Sequence, residues 1–140
     1  MKSMITRVGP VLTWAGVILL ASSIQRPLDI YPSGIIATLR ELRFLGIEGI
    51  TLASFLIHFL LYGVLGYLAG RALAGGGPLN SRLFLVGLVL CTLFGLLDEL
   101  YQISVPGRGF EWIDVLANGL GSVAGLGVFW SRKKVIGSRK

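Results

Sequence analysis

Four long apolar stretches dominate this chain and restrict what it can fold into. They cover residues of about 5–24, 49–69, 82–101 and 111–130, and charged residues occur mainly at their ends. A helix needs roughly 20 residues to cross the hydrocarbon core of a bilayer. Only 14% of the residues are charged, whereas a soluble domain averages about 25%. The sequence therefore predicts an all-α integral membrane four-helix bundle, formed as a single domain over residues 1–140.

The basic residues are distributed unevenly between the two ends of this bundle. The formal net charge is +6, and basic residues concentrate on the cytoplasmic side of membrane proteins. The termini and the second loop share one side and carry nine of them: Lys2, Arg7, Arg71, Arg82, Arg132, Lys133, Lys134, Arg139 and Lys140. The other side carries four: Arg26, Arg40, Arg43 and Arg108. We therefore expect a multi-pass plasma-membrane protein with both termini cytoplasmic, whose partner is the lipid bilayer and not nucleic acid.

The first span also has features of a signal peptide. Lys2 and Arg7 precede the apolar stretch, and the small residues Ala21-Ser22-Ser23 follow it, as at a cleavage site. Cleavage would leave three spans. We expect the span to be retained.

The first external loop, residues 25–48, is long enough to contain an element of its own. Ser33 can cap a helix that begins at Gly34, and Gly46 can end it. Ile35, Ile36, Leu39 and Leu42 would share one side of that helix. This pattern predicts a short interfacial helix on the outer leaflet, which either covers helix ends or acts as a lid.

The other two loops are short. Asn80 or Ser81 can cap the third span, and Pro106-Gly107 suits the centre of a type II turn. A tight third loop makes the third and fourth spans neighbours at their outer ends. Asp98, Arg108 and Asp114 are therefore expected to meet there.

Polar residues that are costly in hydrocarbon gather around this third loop. A charge at the centre of a membrane helix costs about 2.5–3.5 kcal/mol on insertion scales. Several of these residues are spaced i, i+4 and therefore share a helix face. We predict an outward-facing polar pocket formed by His58, Tyr62, Asp98, Glu99, Gln102, Arg108, Asp114 and Asn118.

The charge balance of this region indicates a cationic partner. Asp98, Glu99, Glu111 and Asp114 contribute four negative charges, whereas Arg108 contributes one positive charge. Glu111 is expected to reach water. The surplus favours a proton, a metal ion or an amine-bearing ligand. The sequence contains no Cys/His metal spacing, phosphate-binding loop or dinucleotide-binding glycine pattern, so we predict no metal site and no cofactor.

Small residues form a row along the fourth span. Ala117, Gly121 and Gly125 lie four residues apart, a spacing that allows close helix approach in lipid. The row could form a dimer face, but packing against the chain's own helices is favoured. The oligomeric state stays open.

These motifs resemble those of the VanZ-like family. The likeness rests on His58 with Tyr62, on Asp98-Glu99 with Gln102, on Pro106-Gly107-Arg108, and on Asp114 with Asn118, and it covers residues of about 49–127. Many members carry an Asp-Lys pair just before the helical histidine, where this chain has Ser54 and Phe55. The family is named for a protein linked to reduced sensitivity to the glycopeptide teicoplanin. The resemblance implies a membrane protein of the bacterial envelope, but it implies no particular reaction.

Three functions are compatible with these residues. The first is a non-catalytic envelope protein whose acidic pocket binds cationic headgroups and so affects the response to glycopeptide-type antibiotics. The second is a membrane-embedded enzyme acting on a lipid or cell-wall precursor headgroup, with Asp98 or Glu99 as general base, His58 as its acid/base partner and Arg108 as an anion clamp. The third is a small proton-coupled exporter, although the first span carries no acid. We favour the first.

The predicted topology can be tested by cysteine labelling. In a variant lacking Cys91, Ser104→Cys should react with an impermeant thiol reagent in intact cells, because the third loop is expected outside. Gly76→Cys in the second loop should react only after the cells are opened. The reverse pattern would invert the topology.

Overall fold

The computed structural model describes residues 2–24, 34, 38–39, 41–44 and 47–137. These residues form four helices, α1 (Lys2–Ser23), α2 (Gly49–Ala74), α3 (Ser81–Gln102) and α4 (Trp112–Gly137), with two short strands, β1 (Arg43–Phe44) and β2 (Ile47–Glu48).

Each of the four helices is long and apolar enough to cross a membrane, with candidate spans of 20 to 26 residues. The predicted all-α membrane bundle is confirmed. Helix α2 continues five residues beyond its predicted end, as far as Ala74. It ends at Gly75, whose φ of 59° lies in the left-handed region that glycine adopts without a steric penalty.

The first loop is only partly described. Gly34, Thr38, Leu39 and Glu41 have helical geometry, while β1 pairs antiparallel with β2 as a two-residue ladder. The predicted cap at Ser33 and the predicted helix end at Gly46 lie outside the described residues. The interfacial helix therefore stays a prediction.

The second loop contains the predicted helix cap, and the third loop contains the predicted turn. The Asn80 side chain accepts a hydrogen bond from the Leu83 N–H at 2.9 Å and so caps α3. In the third loop the Arg108 N–H donates to the Val105 carbonyl at 3.0 Å, and Gly107 has a φ of 82°. Both features are those of a type II turn.

Helices α2 and α4 pack with their backbones almost in contact. A Cβ atom added at Gly121 would meet the Phe59 carbonyl, and one added at Gly125 would meet the Gly63 carbonyl and lie 2.7 Å from the Tyr67 nitrogen. A Cβ at Gly66 would lie 2.5 Å from the Ser122 carbonyl oxygen. The small-residue row therefore faces α2 within the same chain.

The polar contacts between these two helices share one register. Ser54 contacts Asp114, and His58 contacts Asn118, both at a sequence separation of 60. A constant separation along both helices means that α2 and α4 run parallel. Spans two and four of a four-span chain must cross in the same direction, so the parallel orientation agrees with the connectivity.

Helix α1 lies at the periphery of the bundle. Within an 18-residue apolar segment of each helix, 6% of the residues are buried in α1 and 44% in α4. Helix α1 is held by the Trp14 indole N–H, which donates to the Leu61 carbonyl at 2.8 Å. Its Ile18 packs in a buried cluster with Tyr62, Leu65 and Cys91.

Replacing Gly121 by leucine should strongly destabilise the protein, because the added side chain would collide with the backbone of α2. Overpacking of a core costs about 1–3 kcal/mol and sometimes more, and backbone atoms cannot rotate away. Gly127→Leu is the matched control, since a Cβ at Gly127 would meet no described atom within 4 Å. The unfolding of both variants in detergent can be monitored by their helix content. Gly121→Leu should unfold under milder conditions than Gly127→Leu. Equal stabilities would show that α2 and α4 do not pack in this way.

Candidate functional site

Seven of the eight residues expected in the polar pocket are buried, at most 6% exposed, and linked by contacts between helices. We call this group the polar centre: His58, Tyr62, Asp98, Glu99, Gln102, Asp114 and Asn118. Acidic side chains are rarely buried to this extent unless they are paired. In a membrane protein, such residues usually mark a functional pathway or site.

Helices α2, α3 and α4 carry the residues of the polar centre. Residues one turn apart share a helix face, and the parallel register of α2 and α4 brings their faces together. His58 and Tyr62 lie one turn apart on α2, and Asp114 and Asn118 lie one turn apart on α4. Asp98 and its neighbour Glu99 lie in the last turns of α3, which the short third loop places against the start of α4.

His58 lies between the other two helices. Its Nδ1 is 3.0 Å from Asn118 Oδ1 and 3.8 Å from Glu99 Oε1. Its Nε2 is 3.5 Å from Asp114 Oδ2. Since Asn118 Oδ1 can only accept, the hydrogen-bond pattern assigns a proton to Nδ1. One imidazole ring therefore faces two carboxylates.

Glu99 is fixed by donors on both of its oxygens. Its Oε2 accepts from the backbone N–H of Glu111 at 3.2 Å, and its Oε1 accepts from Gln102 at 3.4 Å. The side chain of Glu111 itself is exposed. Glu99 is therefore oriented toward His58 by the start of α4 and by its own helix.

Asp114 is held by Ser54, whose hydroxyl lies 3.0 and 3.3 Å from the two carboxylate oxygens. Sequence analysis identified Ser54 only as a departure from the family pattern and assigned it no role. The available signal was its position four residues before His58, which places both side chains on the same face of α2.

Asp98 is incompletely satisfied. Its Oδ2 accepts from the Tyr62 hydroxyl at 3.3 Å, and the Ser22 hydroxyl lies near the carboxyl group, but its Oδ1 forms no hydrogen bond of standard geometry with a described residue. The Nδ2 of Asn118 also forms none within this part of the chain. One buried acceptor and one buried donor therefore remain available to a ligand.

Arg108 lies near the polar centre without forming an ion pair in it. Its guanidinium donates to the Ser22 carbonyl at 3.0 Å, which ties the third loop to the end of α1. No ion pair within 4.0 Å joins it to a described carboxylate, so the expected contact with Asp98 and Asp114 is not formed.

One atom each from His58, Glu99 and Asp114 can be chosen so that all three lie within 4.8 Å of one another. These residue types all ligate divalent metals. They come from three different helices, so no sequence spacing could reveal the arrangement.

Comparison with known proteins identifies the family. The VanZ/LLP1 family model matches residues 10–135, which include most of the first span, the other three spans and the whole polar centre. No curated protein and no solved structure matches the chain. The match agrees with the resemblance seen in the motifs of α2, α3 and α4. The chain is therefore a multi-pass membrane protein that belongs to the VanZ/LLP1 family.

Proposed function

We propose that this protein is a single-domain component of the bacterial plasma membrane whose polar centre faces outward and binds the primary amine of a lipid or cell-wall precursor headgroup. Binding would change how surface-active molecules of the glycopeptide type engage the membrane. In this proposal the bilayer is the solvent and the amine-bearing headgroup is the ligand.

The observation that carries this proposal is the state of Asp98. The carboxylate is 1% exposed, and one of its oxygens forms no hydrogen bond of standard geometry with a described residue. An uncompensated buried charge is strongly unfavourable. An ammonium group supplies both the opposite charge and N–H donors, so it satisfies the oxygen that Tyr62 leaves unpaired.

The orientation is supported by the basic residues at the opposite end of the bundle. The Arg71 guanidinium donates to the Thr6 carbonyl at 3.0 Å, and Arg132 lies 5.8 Å from the centre of the Tyr67 ring. The Arg7 guanidinium lies beside Gly75 in the second loop. Basic residues mark the cytoplasmic end, which supports an acidic polar centre at the outer end.

Thermal unfolding in defined lipid tests the proposal. Phosphatidylethanolamine and phosphatidylcholine are both zwitterionic, but only the former has an N–H donor. Phosphatidylethanolamine should therefore raise the unfolding midpoint relative to phosphatidylcholine. The stabilisation should approach about 2.7 kcal/mol when the lipid is 100-fold above its Kd.

The variant Asp98→Asn should lose this difference, because it removes the charge but keeps an acceptor for Tyr62. Glu111→Gln is the matched control, since it removes an exposed carboxylate nearby, and it should behave as the wild type. An equal response to both lipids in the wild type, or an unchanged response in Asp98→Asn, would contradict amine binding.

A second candidate function is hydrolysis of a lipid-linked headgroup, favoured by the position of His58 between Glu99 and Asp114. An imidazole flanked by carboxylates is suited to general acid/base catalysis with water as nucleophile. The expected anion clamp is less well supported, because Arg108 donates to a backbone carbonyl. Turnover of a labelled headgroup by purified protein, lost in His58→Gln, would select this function instead.

A further inference from the structure

We infer that His58, Glu99 and Asp114 form a binding site for one divalent transition-metal ion. Zn²⁺ is the ion used to test it. This inference goes beyond the proposed amine binding and uses different atoms, since the amine is assigned to Asp98 Oδ1. The metal would lie between α2, α3 and α4.

The first argument is geometric. Ligand atoms of the three residues lie within 4.8 Å of one another, and His58 Nε2 lies 3.5 Å from Asp114 Oδ2. Zinc–nitrogen and zinc–oxygen bonds of about 2.0–2.2 Å place tetrahedral ligand atoms about 3.3–3.6 Å apart. Glu99 Oε1 lies 3.8 Å from His58 Nδ1, so its carboxylate would shift toward Nε2 to bring all three residues to one ion. The three side chains are at most 7% exposed.

The second argument comes from the orientation that Asn118 gives to the imidazole ring of His58. Its carbonyl oxygen lies 3.0 Å from His58 Nδ1 and assigns the ring proton to that nitrogen. The lone pair of Nε2 then faces Asp114 Oδ2, which is also an acceptor. Two acceptors 3.5 Å apart need a proton or a metal ion between them. A ligating histidine commonly donates its other N–H to a carbonyl or carboxylate, and Asn118 provides that partner.

A third argument is that the surrounding residues orient the carboxylates and leave one donor unused. Ser54 donates to Asp114, and the backbone N–H of Glu111 donates to Glu99. The Asn118 Nδ2 group has no partner among the described residues, and Asn118 is 1% exposed. Three protein ligands leave a fourth tetrahedral position open. A donor beside the site can hold an oxygen of water or of a ligand bound there.

The donor set indicates the class of ion. One imidazole nitrogen with two carboxylate oxygens suits Zn²⁺, Mn²⁺ or Fe²⁺. Mg²⁺ prefers oxygen ligands and retains several waters, so it fits a buried site containing histidine less well. No thiolate is part of the described set, which separates it from cysteine-based structural zinc sites.

The experiment measures metal binding by the full chain in detergent. His58 is the only histidine in the sequence, so purification must use a tag without histidine. A Cys91→Ser background removes the single thiol. After chelator treatment, Zn²⁺ is titrated against a chromogenic competitor, and elemental analysis gives the stoichiometry. Cobalt substitution should give the absorption bands of a tetrahedral site.

The wild type should bind one Zn²⁺ per chain, and both His58→Gln and Glu99→Gln should lose this binding. Ser54→Ala should weaken it by roughly 10–100-fold, as expected when a residue that orients a ligand is removed. Glu111→Gln should bind as the wild type does. Because Ser54→Ala makes a small change on α2, it tests the site even if a ligand variant fails to fold.

Absence of stoichiometric Zn²⁺ in the wild type, or equal affinity in wild type, Ser54→Ala and a folded His58→Gln, would overturn the metal site. The lipid response described above is measured on the same metal-free protein. Loss of the zinc result with the lipid response intact overturns the metal site alone. The converse overturns amine binding alone.

Discussion

The close backbone contact between α2 and α4 is the constraint on which the polar centre depends. Glycines on both helices make this contact possible: Gly63 and Gly66 on α2 face Gly121, Gly125 and Ser122 on α4. The same two helices carry the contacts between Ser54 and Asp114 and between His58 and Asn118, both as short as 3.0 Å. A larger side chain at one of these glycines would push the helices apart. It would therefore break the polar contacts, although the glycines lie deeper in the bundle than Ser54 and Asp114.

This packing also determines the electrostatics of the site. Asp98, Glu99 and Asp114 are buried. The surrounding lipid cannot replace the hydrogen bonds that water would form with them. Each accepts hydrogen bonds from neighbouring groups, but no Lys or Arg within the described residues forms an ion pair with any of them. The three carboxyl groups therefore lie around a single imidazole ring, without a Lys or Arg partner among the described residues. Both proposals follow from this arrangement: an amine at Asp98 and a metal ion at His58, Glu99 and Asp114.

The sequence predicted the parts of the structure that depend on local pattern. The lengths of the apolar stretches located the four spans. The preferences of proline and glycine for the two central positions of a type II turn located the turn at Pro106-Gly107. One-turn spacing correctly indicated which polar residues share a face. The partners across helices could not be predicted, because Ser54 meets Asp114 only through the parallel register of two helices separated by α3. The position of Arg108 was equally hidden, since the Ser22 carbonyl that it binds has no sequence signature.

Disulfide cross-linking between α2 and α4 tests the central claim most directly. In a Cys91→Ala background, Ser54→Cys combined with Asp114→Cys should form an intramolecular disulfide in native membranes, detected by a reducible shift in gel mobility. The control pair, Ser54→Cys with Leu116→Cys, should remain reduced, because Leu116 is 57% exposed on another face of α4. Cross-linking of the control pair instead of the first pair would show that the register of α2 and α4, and the polar centre built on it, is wrong.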